Sequence, residues 1–208
     1  MKRIPSAVSL CLLATLAWLA PTAAQAHLVV TGMGPLYDGV SHFALSPEDF
    51  LPVIALGFFA GLRGPRHARS LSWMIPVSWF VGGILATMTL TPPAITLSAT
   101  TAVLFLLAGG LLAANPELSI AACVGLGATL GIVRGMADLA EASNDRAHLL
   151  TLLGMCVAIF LVSALAASVT LPLRRLWVIT ATRVCGSWLA ALGLLLAGWI
   201  VRYGAIIN

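Results

Sequence analysis

The chain has 208 residues, of which 60% are hydrophobic and only 9% are charged. Soluble proteins carry about a quarter charged residues, and a soluble domain of this length could not bury so much apolar surface, so part of the chain must face lipid. The formal net charge of +4 comes from basic residues scattered between apolar runs, which excludes the continuous basic face of a nucleic-acid-binding protein. We therefore predict an all-α, polytopic bundle of transmembrane helices with the lipid bilayer as its main partner.

Residues 1–26 have the pattern of a cleaved signal peptide. Two basic residues precede an apolar core at 7–19, and Ala24-Gln25-Ala26 forms a small-x-small cleavage site. Cleavage at this site would leave His27 as the mature N-terminus. The alternative is an uncleaved first transmembrane helix. A signal peptide before a helix bundle predicts the inner membrane of a bacterium.

Six apolar runs follow a polar N-terminal segment at 27–47, which predicts a six-helix transmembrane domain over 48–208. The first run, from Phe50 to Leu62, is short, which leaves a tilted or re-entrant segment open. Ser46 is placed to cap it and Pro47 suits its first turn. The other five suit a bilayer of about 30 Å at 1.5 Å per residue, and they cover 71–90, 94–114, 118–136, 148–170 and 178–201.

Small residues within these runs predict how the helices pack. Gly127, Gly131 and Gly135 recur every four residues, a spacing that lets two helices approach closely in lipid. Single cysteines stand in three different runs, and none has CxxC spacing. They are predicted to be buried small hydrophobic residues without a disulfide or a thiolate metal site, and they are Cys123, Cys156 and Cys185.

The basic residues predict the orientation of the chain. The loop after the first run carries Arg63, Arg66 and Arg69, and the loop after the fifth carries Arg174 and Arg175. Both loops are cytoplasmic by the positive-inside rule, which places the N- and C-termini in the periplasm. The signal peptide predicts the same orientation.

Carboxylates and imidazoles then gather on the predicted periplasmic side, in two stretches far apart in sequence. Such groups are ligands for divalent transition metals. Asp38 and His42 are four residues apart, so a helix would place them on one face. The predicted metal-binding residues are His27, Asp38, His42, Glu48 and Asp49 from the first stretch and Asp138 and Glu141 from the second.

Structural roles for these residues stay open. Asp38 suits a helix cap, and Glu48 and Asp49 suit the dipole at a helix N-terminus. Arg134 stands four residues before Asp138, a spacing typical of an interfacial salt bridge.

The first stretch resembles the HupE/UreJ family of small bacterial membrane proteins, which are associated with hydrogenase and urease gene clusters. The matching motifs are Gly34-Pro35-Leu36-Tyr37-Asp38-Gly39, His42-Phe43, Ser46-Pro47-Glu48-Asp49 and Leu51-Pro52-Val53. The plan of a signal peptide and six helices is similar too. The resemblance implies uptake of nickel, or of cobalt in some members.

This chain departs from the better-known family pattern. Gly34 stands where a histidine is usual, Asp38 and His42 are not adjacent, and Asp138 lies at a helix end that is His-rich elsewhere. The chain thus looks like a divergent branch, and its carboxylate-rich set favours harder ions.

The leading functional hypothesis is an uptake permease for nickel or cobalt, with the metal as transported ion and no tightly bound cofactor. The alternative is a membrane assembly or anchoring subunit of a metalloenzyme, working with accessory proteins or as a homo-oligomer. The sequence contains no P-loop motif, no H-E-x-x-H and no G-x-S-x-G, so an enzyme is not predicted.

Overall fold

The computed structural model describes residues 32–87, 94–138, 146–172 and 175–203. All the secondary structure within these ranges is helical. The predicted signal peptide, His27 and Glu141 lie outside the described residues. The seven described helices are α1 (Pro35–Leu45), α2 (Pro47–Arg63), α3 (Pro65–Ala86), α4 (Ala94–Ala114), α5 (Ile120–Asp138), α6 (Arg146–Thr170) and α7 (Leu176–Tyr203).

The six predicted apolar runs correspond to helices α2 to α7, so the prediction of a helical membrane bundle is confirmed. Within the described residues, three helices are long and apolar enough to cross a bilayer by length and composition: Ile120–Asp138, Ala147–Thr170 and Leu176–Arg202. The 22-residue α3 carries serines and basic residues as well as apolar ones. The total of six membrane spans therefore stays a prediction.

Helix α1 was not predicted as a separate element. It joins α2 at Ser46 with a bend of 75°, and the pair has the composition of one broken span or of a re-entrant loop. Pro47 lies in the first turn of α2 as predicted, and Ser46 is the N-cap residue. Its side chain makes no capping hydrogen bond, so that part of the prediction was wrong.

Glycines set the helix contacts, because lipid supplies no hydrophobic force that would pull helices together. Helix α5 packs on α3 through the predicted stripe. A Cβ built on Gly131 would fall on Ser78 and on the backbone of Ile75, and one on Gly135 would fall on the backbone of Trp79. The packing prediction is confirmed.

Close contacts at glycines also position α1. A Cβ on Gly39 would overlap the backbone of Thr151 in α6, and one on Gly154 would overlap the backbone of Leu36. Helix α1 therefore lies directly against α6, which fixes the position of the side chains it carries. Gly39, which weakens a helix in isolation, is what allows this contact.

Arginines stabilise the opposite end of α2. Arg63 donates hydrogen bonds to the carbonyl and the side-chain oxygen of Asn115, just after α4, and lies over the ring of Phe59. Arg183 donates to the carbonyl of Ala113, 2.7 Å away. Cations suit this position because the last carbonyls of a helix lack intrahelical partners.

The three cysteines within the described residues lie on three helices and are not paired with one another. Cys123 is buried and Cys156 half-buried, in line with the prediction. Cys185 is exposed, so the prediction of a buried residue was wrong there. It lies on the outer side of α7, the helix with the smallest buried share among the three candidate spans.

Candidate metal centre

Three side chains from three different helices converge at the break between α1 and α2. His42 comes from the last turn of α1, Asp49 from the first turn of α2, and Asp138 is the last residue of α5. One ligand atom of each lies within 4.8 Å of the other two. This geometry suits a divalent metal, which is held by imidazole nitrogen and carboxylate oxygen at about 2.0–2.2 Å in zinc sites.

The site lies inside the bundle. The side chain of Asp49 is 1% exposed and that of Asp138 is 4% exposed, whereas His42 is half-buried. Charged groups are rarely buried to this extent unless they are paired or bind an ion. Asp49 therefore lies in the interior of the bundle. A carboxylate that only stabilised the dipole of α2 would be expected at the surface.

Arg134 of α5 supplies the charge that faces both carboxylates. Its guanidinium pairs with Oδ1 of Asp49 and donates a 3.0 Å hydrogen bond to Oδ1 of Asp138, the predicted i,i+4 partner. It also donates to the hydroxyl of Thr101 on α4, 3.3 Å away. Arg134 is itself buried, so it links α2, α4 and α5 within the bundle.

Arg134 leaves part of each carboxylate unused. Oδ2 of Asp49 and Oδ2 of Asp138 are buried, and neither has a hydrogen-bond partner among the described residues. A buried carboxylate oxygen without a partner costs free energy, unlike the paired Oδ1 atoms. A cation bound at these two oxygens would therefore displace no hydrogen bond made by a described residue.

Aromatic rings pack together next to the residues of the site. Phe43, next to His42, packs against Phe50 at 5.9 Å between ring centroids and edge-on against Trp79 at 6.2 Å. Phe43 and Trp79 are fully buried. Apolar rings beside the carboxylates lower the local dielectric constant, which strengthens the attraction between the carboxylates and a cation.

The structure brings together three of the seven predicted site residues: His42, Asp49 and Asp138. Glu48 is half-buried and close enough to Arg134 and Asp138 to interact with them electrostatically. Asp38 lies one turn before His42 on α1 and is not part of the converging group. His27 and Glu141 fall outside the described residues.

The contact between Arg134 and Asp49 was missed by the sequence interpretation, which paired Arg134 only with Asp138. One signal was available. Arg134 is a basic residue near the end of an apolar run. The positive-inside rule places that end on the periplasmic side, where arginine is disfavoured. Such an arginine is expected to have acidic partners within the protein. Trp79 was missed as well, because its position in the middle of an apolar run does not distinguish it from other residues that face the core or lipid.

The chain matches a known protein family over most of its length. The model of the family described as "HupE / UreJ protein" matches residues 13–196, which is most of the chain. No curated protein and no solved structure matches the chain. The chain belongs to the HupE/UreJ family, a family of membrane transporter and accessory proteins associated with nickel and cobalt.

Proposed function

We propose that this protein is an uptake permease for a divalent transition metal, nickel or cobalt, in the bacterial inner membrane. The observation that carries the proposal is the convergence of His42, Asp49 and Asp138, whose ligand atoms lie within 4.8 Å of one another inside a helix bundle. Imidazole combined with carboxylate suits divalent first-row metals in general, and the choice of nickel or cobalt among them rests on the family.

The break between α1 and α2 supports transport rather than a purely structural metal site. Secondary transporters bind their ions at discontinuous helices, where helix ends and unwound backbone face the ion. Here the break at Ser46 lies four residues after His42 and three before Asp49. The C-terminal end of α1 carries partial negative charge, which favours a cation beside it.

The charge distribution supports a route from the periplasm. Asp49 lies about 21 Å from Arg63 along α2, at 1.5 Å per residue, and Arg63 begins the basic loop predicted to be cytoplasmic. The site therefore lies near the end of α2 that is predicted to face the periplasm. In this proposal His27, Asp38, Glu48 and Glu141 attract the metal in the periplasm, and the buried group binds it.

Uptake of radiolabelled Ni²⁺ and Co²⁺ by cells with and without the gene tests the proposal. Asp49→Asn and Asp138→Asn should reduce uptake to the level of cells without the gene, at equal amounts of protein in the membrane. The matched control is Glu117→Gln, which removes a carboxylate about 30 Å away, beyond the opposite end of α5. It should transport at the wild-type rate.

The alternative, a metalloenzyme assembly or anchoring subunit, predicts a different outcome. Cells with and without the gene would then take up Ni²⁺, Co²⁺, Zn²⁺ and Mn²⁺ equally. Wild-type uptake by both aspartate variants would likewise overturn the proposed site.

A further inference from the structure

Arg134 occupies an unusual place for a site that binds a cation. Its guanidinium lies between the two carboxylates and contacts Oδ1 of each. A divalent ion held by Asp49 and Asp138 would lie within about 5 Å of this positive charge. Even at an effective dielectric constant of about 20, their repulsion corresponds to several powers of ten in affinity.

A second role for Arg134 is possible in principle, since a residue that bonds a metal ligand also orients it. Outer-shell partners of this kind contribute about 10- to 100-fold to metal affinity. The repulsion is the larger effect, because the guanidinium is buried and few water molecules can screen it. The net influence of Arg134 on a bound dication is therefore unfavourable.

We propose that Arg134 is the resident cation of this site. It neutralises Asp49 and Asp138 while no metal is bound, and an incoming divalent ion displaces it from the carboxylates. This inference rests on the proposed function. The return of the guanidinium would then expel the metal, which meets the requirement that a transported ion be bound weakly enough to leave.

The bonds of Arg134 favour this exchange. It reaches Asp49 and Thr101 on neighbouring helices through its side chain alone, while its backbone stays in α5. A rotation of the side chain can therefore break these contacts without moving a helix. The Oδ2 atoms of Asp49 and Asp138 have no hydrogen-bond partner among the described residues, so the metal can bind to them before Arg134 leaves.

Calorimetric titration of the purified full-length protein in lipid nanodiscs with Ni²⁺ tests the proposal. Arg134→Gln removes the charge and keeps a hydrogen-bonding side chain. It should lower the Kd for Ni²⁺ at least tenfold, because the repulsion outweighs the roughly 10- to 100-fold contribution of an outer-shell partner. The same variant should slow Ni²⁺ uptake by cells, because the ion is no longer expelled. If Arg134 had only a structural role, Arg134→Gln would lower both Ni²⁺ binding and Ni²⁺ uptake.

Arg63→Gln is the matched control, because Arg63 also links helices by hydrogen bonds, at the other end of α2. It should leave the Kd unchanged. Equal or weaker Ni²⁺ binding by folded Arg134→Gln would overturn the resident-cation role and leave the metal site intact. Absence of binding by the wild-type protein would overturn the proposed function itself.

A measurement on the wild-type protein detects the displacement itself. In ¹⁵N-arginine-labelled protein, the Nε–H resonance of Arg134 reports its bond to Asp49. Diamagnetic Zn²⁺ serves as the probe, and Arg134→Lys assigns the signal. The resonance should shift upfield as Zn²⁺ breaks the bond. An unchanged resonance at saturating Zn²⁺ would contradict displacement.

Discussion

Arg134 of α5 pairs with Asp49 of α2 across 85 positions of the chain, and both side chains are almost fully buried. The pair fastens the end of α5 to the first turn of α2, directly beside the helix break. It also brings Asp138 next to Asp49, because Arg134 holds both carboxylates at once. In the metal-free protein this contact thus holds the two carboxylates of the candidate metal centre side by side.

We expect loss of Asp49 to destabilise the protein as well as to abolish metal binding. Among the described residues, Asp49→Ala leaves Arg134 with Asp138 as its one salt-bridge partner, and removing one member of a buried ion pair costs about 3–5 kcal/mol. The thermal unfolding midpoint of the purified protein should fall clearly. Glu117→Gln, remote from the site, should unfold at the wild-type temperature, and a similar fall in that control would refute the explanation.

The contact between α3 and α5 should tolerate no side chain at Gly131. In Gly131→Leu the new atoms would overlap Ser78 and the backbone of Ile75, so we expect little folded protein in the membrane. Gly125→Leu on the same helix is the matched control, since a Cβ there meets nothing within 4 Å. Size-exclusion chromatography compares the two variants. Equal yields of monodisperse protein would show that the close approach is unimportant.

The orientation of the bundle can be tested with reporter fusions. Fusions after Arg69 and after Arg175 should read as cytoplasmic, and a fusion at the C-terminus should read as periplasmic, because arginine-rich loops stay inside. Alkaline phosphatase and green fluorescent protein give opposite readouts of the two sides. A cytoplasmic C-terminus would indicate an odd number of membrane crossings and would refute six spans.

Asp38 should have a weaker role than His42, although both lie on α1. His42 belongs to the converging group, whereas Asp38 lies one turn away from it. If Asp38 attracts metal electrostatically, Asp38→Asn should raise the Ni²⁺ concentration for half-maximal uptake about tenfold and preserve the maximal rate. His42→Ala should lower the maximal rate. The opposite pattern would place Asp38, and not His42, at the binding site.

Most of the fold was predictable because lipid imposes length and composition on each span. Runs such as 94–114 and 148–170 closely match the helices Ala94–Ala114 and Arg146–Thr170. Helix α1 was not, because its 11 residues include a glycine, Gly39, and several polar side chains. Its stability comes from contact with the backbone of α6, and a sequence reveals no such partner.

The site was predictable to a lesser degree. The stretch with His42 and Asp49 and the stretch with Asp138 were predicted to lie on the same face of the membrane. In the structure these three residues converge. The same argument could not rank Asp38 below His42, because both satisfy the same helical spacing. Nor could it pair Arg134 with Asp49, since a distant contact depends on how α2 and α5 pack.

Nickel X-ray absorption spectroscopy of the purified full-length protein tests the central claim most directly. The spectrum of bound Ni²⁺ should show imidazole scattering together with oxygen ligands at about 2.0–2.2 Å, taking the distances of comparable zinc sites. In His42→Ala the imidazole contribution should disappear, and in Asp49→Asn with Asp138→Asn nickel should no longer bind. An imidazole signal that persists in His42→Ala, or nickel retained by the double aspartate variant, would contradict the assignment of His42, Asp49 and Asp138 as the metal centre.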